Sequence, residues 1–265
     1  MTEARWERIV HAEPVWGTVV TLDIRGAQLD GPVVQRACRA ASDELHRIDA
    51  WLSPFRPTSV VCALRNGWLD RTAVPGPVRE VIAGCANATE LTNGAFDPWA
   101  VPGGFDPCGY VKGWGADRAA EILVAHGLPN VSVNAAGDVT CRGRSNPATD
   151  GWRIGVADPR DRQRVIRTTL VKDAHLATSG RYEQGDHIVD PRTGRPATGV
   201  DSASVLAADG GLADALATGL LINGPAGLTA LVGQPIWAYV VAGGHCWTTG
   251  TETTTGIPST AGTHA

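Results

Sequence analysis

The 265-residue sequence predicts an α+β fold, a single domain in which mixed or antiparallel sheets are flanked by helices. Apolar residues recur at helical spacing over 33–51 and 76–92. Short runs rich in β-branched residues, separated by turn signals, follow from residue 131 onwards. We find no repeat and no convincing linker, so we expect one domain over 15–247. Residues 1–14 would be an N-terminal extension, and the Thr- and Gly-rich segment 248–265 a disordered tail.

The first half of the chain contains one predicted strand and three predicted helices. Residues 15–24 read as the first strand because β-branched residues dominate them. A helix begins at Gly31-Pro32 and runs to Trp51, and a short helix within 52–67 has Ser59 as its N-cap. The third helix covers about 76–92 and is stopped by Asn93-Gly94.

The second half alternates between predicted strands and helices. The glycines of 105–121 predict a tight turn that leads into a helix from about Gly115 to His126. Residues 131–134 and 139–142 predict a hairpin. Further strands are expected at 152–156, 167–171, 175–178, 202–207 and 236–241, with a strand running into a turn at 189–194 and helices at 212–222 and 226–231.

Composition excludes several classes of partner. A net charge of −4 gives no electrostatic footprint for nucleic acid or an anionic membrane. The six cysteines have no metal or redox spacing, which favours free thiols in a reducing compartment. No stretch resembles a signal peptide or a membrane span. These features predict a cytoplasmic protein without membrane insertion. They leave the oligomeric state open.

The most informative stretch reads FDPCGYVKGWGADRAAE over 105–121. Gly109, Gly113 and Gly115 would let a backbone approach a ligand closely, and Lys112 would add a positive charge beside a phosphate. The alternative is a tight turn into a surface helix with a solvated lysine. The spacing matches neither the dinucleotide fingerprint nor the P-loop.

A second candidate pair lies near the end of the chain. Asp214 and Thr218 stand four residues apart in a predicted helix, so a carboxylate and a hydroxyl share one face and could reach one hard cation. Alternatively, Asp214 caps the helix and Thr218 bonds back to a main-chain carbonyl. For Asp106 and Lys112 the corresponding alternative is a surface ion pair.

Several short runs occur together in this chain, among them VNAAGDV (133–139) and SGRYEQGDHIVDPRTGRP (179–196). These two runs resemble the N-x-G-G-D and S-G-x-Y…H-I-[IV]-D-P-x-T-G-x-P motifs of the ApbE family of flavin transferases. ADALATGLL (213–221) resembles D-A-x-A-T, VWGT (15–18) resembles M-G-T, and LSPFRPTSVVCALRN (52–66) resembles an early Ser- and Phe-containing motif. AFDP (95–98) and the glycine stretch complete the set, which covers nearly all of 15–241.

The resemblance implies an ApbE-like (T-fold-like) architecture and an FAD:protein FMN transferase activity. The expected reaction is Mg²⁺-dependent transfer of the FMN moiety of FAD to a Thr or Ser hydroxyl of an acceptor flavoprotein, with release of AMP. His187 and Asp214 would be catalytic, and Asp214 and Thr218, with a main-chain carbonyl near Gly109 or Gly211, would bind Mg²⁺. The residues implied at FAD are Trp16, Phe55, Ala95, Phe96, Asp97, Asp106, Lys112, His187 and Ile188.

Other residues of the motifs are expected to support the site. Asn134, Gly137 and Asp138 would shape a hairpin, Asp117 would cap its own helix, and Arg192 could hold a phosphate.

Two features depart from the family pattern. Only residues 99–104 separate the two Phe-Asp-Pro turns, where the family carries several dozen residues, and Trp16 replaces the methionine of M-G-T. Two alternatives to flavin transfer remain open, and the shortened segment favours the first of them. One is a metal-dependent FAD pyrophosphatase that gives AMP and FMN, and the other is a non-catalytic FAD-binding protein.

Overall fold

A computed structural model describes residues 6–181 and 188–249. Its strands are β1 (Glu7–Val15), β2 (Thr18–Gly26), β3 (Val131–Ala135), β4 (Asp138–Arg142), β5 (Trp152–Asp158), β6 (Asp161–Val171), β7 (Ala174–Gly180), β8 (Val189–Asp190), β9 (Arg195–Pro196), β10 (Ser202–Ala207), β11 (Trp237–Ala242) and β12 (His245–Thr249). Its α-helices are α1 (Gly31–Leu52), α2 (Val60–Arg65), α3 (Gly76–Leu91), α4 (Cys108–Ala125) and α5 (Gly210–Asn223), with 3₁₀ turns at Arg71–Ala73 and Gly224–Leu231. The predicted α+β class is confirmed.

The centre of the fold is an eight-stranded sheet in the order β1-β2-β3-β4-β7-β10-β11-β12. Every neighbouring pair within it is antiparallel. Two smaller antiparallel pairs, β5–β6 and β8–β9, lie outside it. The predicted hairpin of β3 and β4 is confirmed, with Ala136 and Gly137 at positive φ in its turn.

The two ends of the sheet differ from the sequence prediction. The segment 15–24 is not one strand, because Trp16 and Gly17 at positive φ form a turn between β1 and β2. Residues 7–14, predicted to be an extension, therefore belong to edge strand β1. At the other edge β12 was not predicted, and Thr248 and Thr249 of the expected tail lie in it. The rest of that tail, 250–265, falls outside the described residues.

Helices α1, α4 and α5 pack side by side on one face of the sheet. Helix α4 lies over β3 and β4, and α5 lies over β7 and β10. The β5–β6 hairpin covers the opposite face, where Trp152 and Val156 pack with Trp237 and Tyr239 of β11. The face that carries α4 and α5 is the one that positions the candidate site.

The glycine stretch is part of a helix, so the predicted turn before Gly115 is wrong. Helix α4 begins at Cys108 and contains Gly109, which alone has non-helical φ and ψ, as well as Gly113 and Gly115. A Cβ on Gly113 would overlap the backbone of Gly210 in α5, and one on Gly115 would overlap the Trp16 ring. These glycines are required because α4 is packed tightly on both sides.

The caps of the helices follow the expected chemistry in part. Ser59 caps α2 by accepting a hydrogen bond from Cys62 N at 3.0 Å, as predicted. Asp209 caps α5 by accepting from Leu212 N at 2.8 Å, so Asp214 in the second turn is not the cap. Across the described ranges, none of the helices has the length and apolar character that a membrane crossing requires.

Candidate functional site

Three charged side chains meet between α4, α5 and the β3–β4 turn. The Lys112 ammonium lies 2.8 Å from Asp138 Oδ2, and 3.0 and 3.1 Å from the two carboxylate oxygens of Asp214. Both carboxylates are buried, at 3% and 2% exposed, whereas the Lys112 side chain is 34% exposed. The alternative of a surface ion pair is wrong, because Lys112 closes the mouth of a buried acidic pair.

The fold fixes each carboxylate through the backbone. Asp138 follows the β3–β4 turn, where Gly137 N donates to Asn134 Oδ1 at 2.8 Å, and its own Oδ1 accepts from Thr178 N of β7 at 3.0 Å. Asp214 accepts from Gly113 N at 3.4 Å across the α4–α5 contact. Asn134 and Gly137 thus shape the hairpin as expected, while Asp138 also belongs to the charged cluster.

The electrostatics of the cluster follow from burial. Burial raises the pKa of the Asp214 carboxyl above its ordinary value, an effect that Lys112 opposes and Asp138 reinforces. Burial alone would lower the pKa of Lys112, but the two carboxylates reverse this effect and raise it. With Lys112 charged and both acids ionised, the cluster carries a net charge of −1, which suits a further cation.

One turn further along α5, Thr218 lies beside a hydroxyl group of β7 and a glycine of α4. Thr218 Oγ1 is 3.3 Å from Ser179 Oγ of β7. A Cβ on Gly109 would stand 3.4 Å from Thr218 Oγ1 and 3.2 Å from the Phe96 ring. The predicted residues Gly109, Lys112, Asp214 and Thr218 therefore come together, and Phe96 borders them. Ser179 was not selected from the sequence, although it begins the S-G-x-Y run.

The donor set restricts how a metal ion could be held. Within 6–181 and 188–249, no three His, Cys, Asp or Glu side chains are grouped so that they could hold a metal ion. A cation at Asp214 would need hydroxyl and main-chain oxygen donors, which hard cations accept. Thr218 and the backbone at Gly109 fit this requirement. Gly211, the other predicted contributor, packs against the Tyr110 ring.

Asp106 and Arg65 flank the start of α4. Asp106 Oδ1 accepts from Cys108 N at 3.0 Å, and its Oδ2 lies 3.3 Å from Arg65 Nη2. Arg65 also donates to the carbonyl of Phe105 at 2.8 Å. The alternative of an ion pair between Asp106 and Lys112 is wrong, because Asp106 pairs with Arg65 instead.

The aromatic residues predicted at FAD differ in their surroundings. Phe55 is 84% exposed and offers a free ring face. Phe96, 5% exposed, lies beside Gly109 as described above. Trp16 packs against Gly115 and against the core cluster that contains Ile48, so its ring lies between α1 and α4.

The remaining predicted contacts lie on turns. Asp97 Oδ1 accepts from Trp99 N at 2.9 Å, next to the buried Ala95. Ile188 borders the core cluster beneath α5. Arg192 donates two hydrogen bonds of 2.9 Å to Asp190. The guanidinium donors that were predicted to bind a phosphate are therefore engaged by this carboxylate. His187, the predicted catalytic histidine, lies outside the described residues.

A polar network of Thr140, Asp117 and His175 connects β4 and β7 to α4 and to the start of α5, the elements that carry the charged cluster. Thr140 Oγ1 donates to Asp117 Oδ1 at 2.7 Å and lies 2.6 Å from Nδ1 of the fully buried His175. Asp117 Oδ2 also accepts from Gly210 N at 2.6 Å. Asp117 was predicted to cap its own helix, but it satisfies the first turn of α5. No sequence motif selected His175.

The ApbE family model matches residues 16–104 and 102–240. The chain belongs to the ApbE family. Among curated ApbE relatives, the FAD:protein FMN transferase of Rhodobacter capsulatus is 36% identical over 157 residues, which is 56% of this chain and 30% of that protein. The FAD:protein FMN transferase of Vibrio cholerae is 37% identical over 123 residues, 43% of this chain and 36% of that protein. The matched regions thus span about a third of these relatives.

Solved ApbE structures share the fold over nearly their whole length. The ApbE protein of Thermotoga maritima superimposes with a TM-score of 0.77 at 26% identity, covering 91% of this chain and 96% of that one. The flavin transferase ApbE of Vibrio cholerae gives a TM-score of 0.77 at 22% identity, covering 92% and 97%. This ApbE-family chain therefore has the α+β architecture of those proteins.

Proposed function

We propose that this chain transfers the FMN moiety of FAD to a Thr or Ser hydroxyl of an acceptor flavoprotein and releases AMP. The observation that carries the proposal is the junction of α4 and α5. There the ammonium of Lys112, from the glycine stretch, contacts the carboxylate of Asp214, from the D-A-x-A-T run. Relatives that are 36% and 37% identical are named FAD:protein FMN transferase, which supports the same reaction.

The proposed site would hold Mg²⁺ with the Asp214 carboxylate, the Thr218 hydroxyl and a main-chain carbonyl near Gly109 or Gly211. Of these two glycines, Gly109 is favoured because it lies beside Thr218. When bound, the ion would supply charge neutralisation for the pyrophosphate and the departing phosphate. Lys112, at the exposed mouth of the cluster, would bind a further phosphate oxygen once a cation displaces it from Asp214.

The chemical step is a substitution at the FMN phosphorus. The acceptor hydroxyl oxygen forms a bond to that phosphorus, the bond to the AMP oxygen breaks, and the hydroxyl proton passes to a base. His187 or a carboxylate of the site is the candidate base. The protein's contribution is to position these groups and to stabilise charge, as is general for phosphoryl transfer.

The flavin end of the substrate requires apolar contacts. Phe55, with most of its ring exposed, is a candidate to pack on the isoalloxazine. Ala95, Phe96, Asp97, Asp106 and Ile188 are proposed at FAD as well. Because Trp16 is packed between α1 and α4, its proposed role is to support the wall of the site through Gly115.

Mass spectrometry of a candidate acceptor protein, incubated with this chain, FAD and Mg²⁺, tests the proposal. Transfer predicts an acceptor that gains the mass of FMN minus water on one Thr or Ser, with AMP in equal amount. Release of AMP and free FMN without an acceptor would instead assign the chain as an FAD pyrophosphatase, which the short segment 99–104 favours. FAD that stays intact with Mg²⁺ and acceptors would indicate a binding protein.

A further inference from the structure

Asp138 has a contact pattern that a residue shaping a turn does not need. Its Oδ1 is held by the backbone N–H of Thr178 at 3.0 Å, and its Oδ2 lies 2.8 Å from Lys112 Nζ. Each carboxylate oxygen thus has one fixed partner, on a side chain that is 3% exposed. Asp138 is therefore the more firmly anchored of the two acids around the ammonium.

The Lys112 ammonium is held between the two carboxylates in this arrangement. An ammonium group has three N–H donors. The Lys112 Nζ lies 3.0 and 3.1 Å from Oδ1 and Oδ2 of Asp214, and 2.8 Å from Oδ2 of Asp138. The same contacts occupy both oxygens of the carboxylate that a metal ion would need. Lys112 and a cation therefore compete for Asp214.

We propose that Asp138 is a positioning residue that retains Lys112 when a divalent cation takes Asp214. This inference rests on the proposed function, since it requires the cation at Asp214. Release from Asp214 frees the part of the ammonium that now faces its carboxylate, and the ion pair with Asp138 keeps Lys112 at the mouth of the site. Cation binding and phosphate binding are then coupled through one side chain.

The charges of the cluster support this exchange. With Lys112 charged and both carboxylates ionised, the cluster carries a net charge of −1, so a divalent cation converts it to +1, which suits a pyrophosphate. With asparagine at 138, Lys112 and the buried Asp214 form a neutral pair without a second anion. A cation that binds Asp214 must then displace Lys112, and no second carboxylate holds the displaced ammonium. Separating a charged group from its partner in a buried site is costly.

The test measures Mn²⁺ binding to the full chain without FAD, by the electron paramagnetic resonance signal of free Mn²⁺. Mn²⁺ accepts carboxylate and carbonyl ligands as Mg²⁺ does. Four proteins are compared: the unchanged chain, Asp138→Asn, Lys112→Met and the double variant. Asparagine keeps the oxygen that accepts from Thr178 N, so the β4–β7 contact is retained.

We expect Asp138→Asn to weaken Mn²⁺ binding by about tenfold or more when Lys112 is present, and by less than about threefold in the Lys112→Met background. Lys112→Met alone should bind Mn²⁺ more tightly than the unchanged chain, because the competing ammonium is gone. If Asp138→Asn does not fold, the comparison of Lys112→Met with the unchanged chain decides. Lys112→Met that binds Mn²⁺ no more tightly than the unchanged chain overturns the proposal.

Equal effects of Asp138→Asn in both backgrounds would overturn the inference, because Asp138 would then act on the cation without Lys112. A lower melting temperature with unchanged Mn²⁺ affinity would also overturn it and leave Asp138 a structural residue. These results are distinct from failure of the proposed function. An unchanged chain that binds Mn²⁺ with the expected coupling but modifies no acceptor contradicts only the proposed transfer. An unchanged chain that binds no Mn²⁺ contradicts both.

Discussion

Gly113 of α4 and Gly210 of α5 touch backbone to backbone, so that a Cβ on Gly113 would overlap the carbonyl group of Gly210. The same position would place the Cβ 3.2 Å from Asp214 Cβ. This contact sets the distance between the helix that carries Lys112 and the helix that carries Asp214 and Thr218. The geometry of the charged cluster therefore depends on a residue without a side chain.

Gly113→Ala should destabilise the fold, because overpacking a close helix contact costs about 1–3 kcal/mol. For a domain of this size each kcal/mol lowers the melting temperature by about 2–4 °C. Thermal unfolding followed by circular dichroism measures the effect. Gly76→Ala is the matched control, since a Cβ at that first position of α3 meets no atom within 4 Å. Equal melting temperatures for the two variants would contradict the importance of the contact.

Binding of FAD should be at least about tenfold tighter than binding of riboflavin, a difference of ~1.4 kcal/mol. The reason is that the proposed contacts of Lys112 and the cation are made to the pyrophosphate, which riboflavin lacks. Titration by flavin fluorescence in the presence of Mg²⁺ measures both affinities, with FMN as the intermediate case. Equal affinities for FAD and riboflavin would place the ligand away from Lys112.

The buried His175 should make stability depend on pH below neutrality. Burial lowers the pKa of His175, even though Asp138 and Asp117 act in the opposite sense, while Lys112 and Arg142 reinforce the shift. The unfolded chain takes up a proton at about pH 6.5, but the folded chain resists it. The contribution of His175 to the free energy of unfolding is therefore largest above about pH 6.5 and is lost as the pH falls below it.

The measurement is urea unfolding at pH 7.5 and 5.5 for the unchanged chain and for His175→Gln. Glutamine can still hydrogen-bond to Thr140 but does not titrate, so the difference between the two pH values should be smaller in the variant. If the change from pH 7.5 to pH 5.5 alters the free energy of unfolding equally in both proteins, His175 does not titrate in this range.

Local patterns predicted most elements of the fold but not the role of the glycines. The glycines of 105–121 were interpreted as a turn, since glycine tolerates positive φ, yet Gly113 and Gly115 lie within α4. The segment of α5 indicates close helix packing, because it contains Gly210, Gly211 and several alanines on its buried faces. Two segments rich in small residues favour close helix packing, but one sequence does not show that they are partners.

The edge strand β1 and the charged cluster also depend on contacts that local sequence patterns do not reveal. Strand β1 contains Pro14, which an edge strand tolerates because no neighbour needs its missing N–H. The roles of Asp214 and Thr218 could be hypothesised from their spacing, whereas Asp138 was fully explained by turn chemistry. Its contact with Lys112, 26 positions earlier, depends on how β4 packs against α4.

The decisive prediction concerns Asp214 and Thr218 of α5. Asp214→Asn keeps the shape but removes the charge that a hard cation prefers, and Thr218→Val keeps the volume but removes an oxygen ligand. Each change should lower FMN transfer by about a hundredfold, which corresponds to roughly 2.7 kcal/mol of transition-state stabilisation. FAD binding without metal should change little. Higher Mg²⁺ should partly restore Thr218→Val, because its carboxylate ligand remains.

The fold should tolerate both changes, since Lys112 keeps its contact with Asp138 when Asp214 is neutral. The matched control on the same helix is Asp209→Ala, which removes the true N-cap of α5 and should cost about 1 kcal/mol of stability while activity is retained at permissive temperature. Melting temperature and Mg²⁺-dependent transfer, measured on all three variants, separate a lost ligand from a weakened helix. Full transfer activity in Asp214→Asn with a lowered melting temperature would rule out the metal role, because it would reduce Asp214 to a structural partner of Lys112.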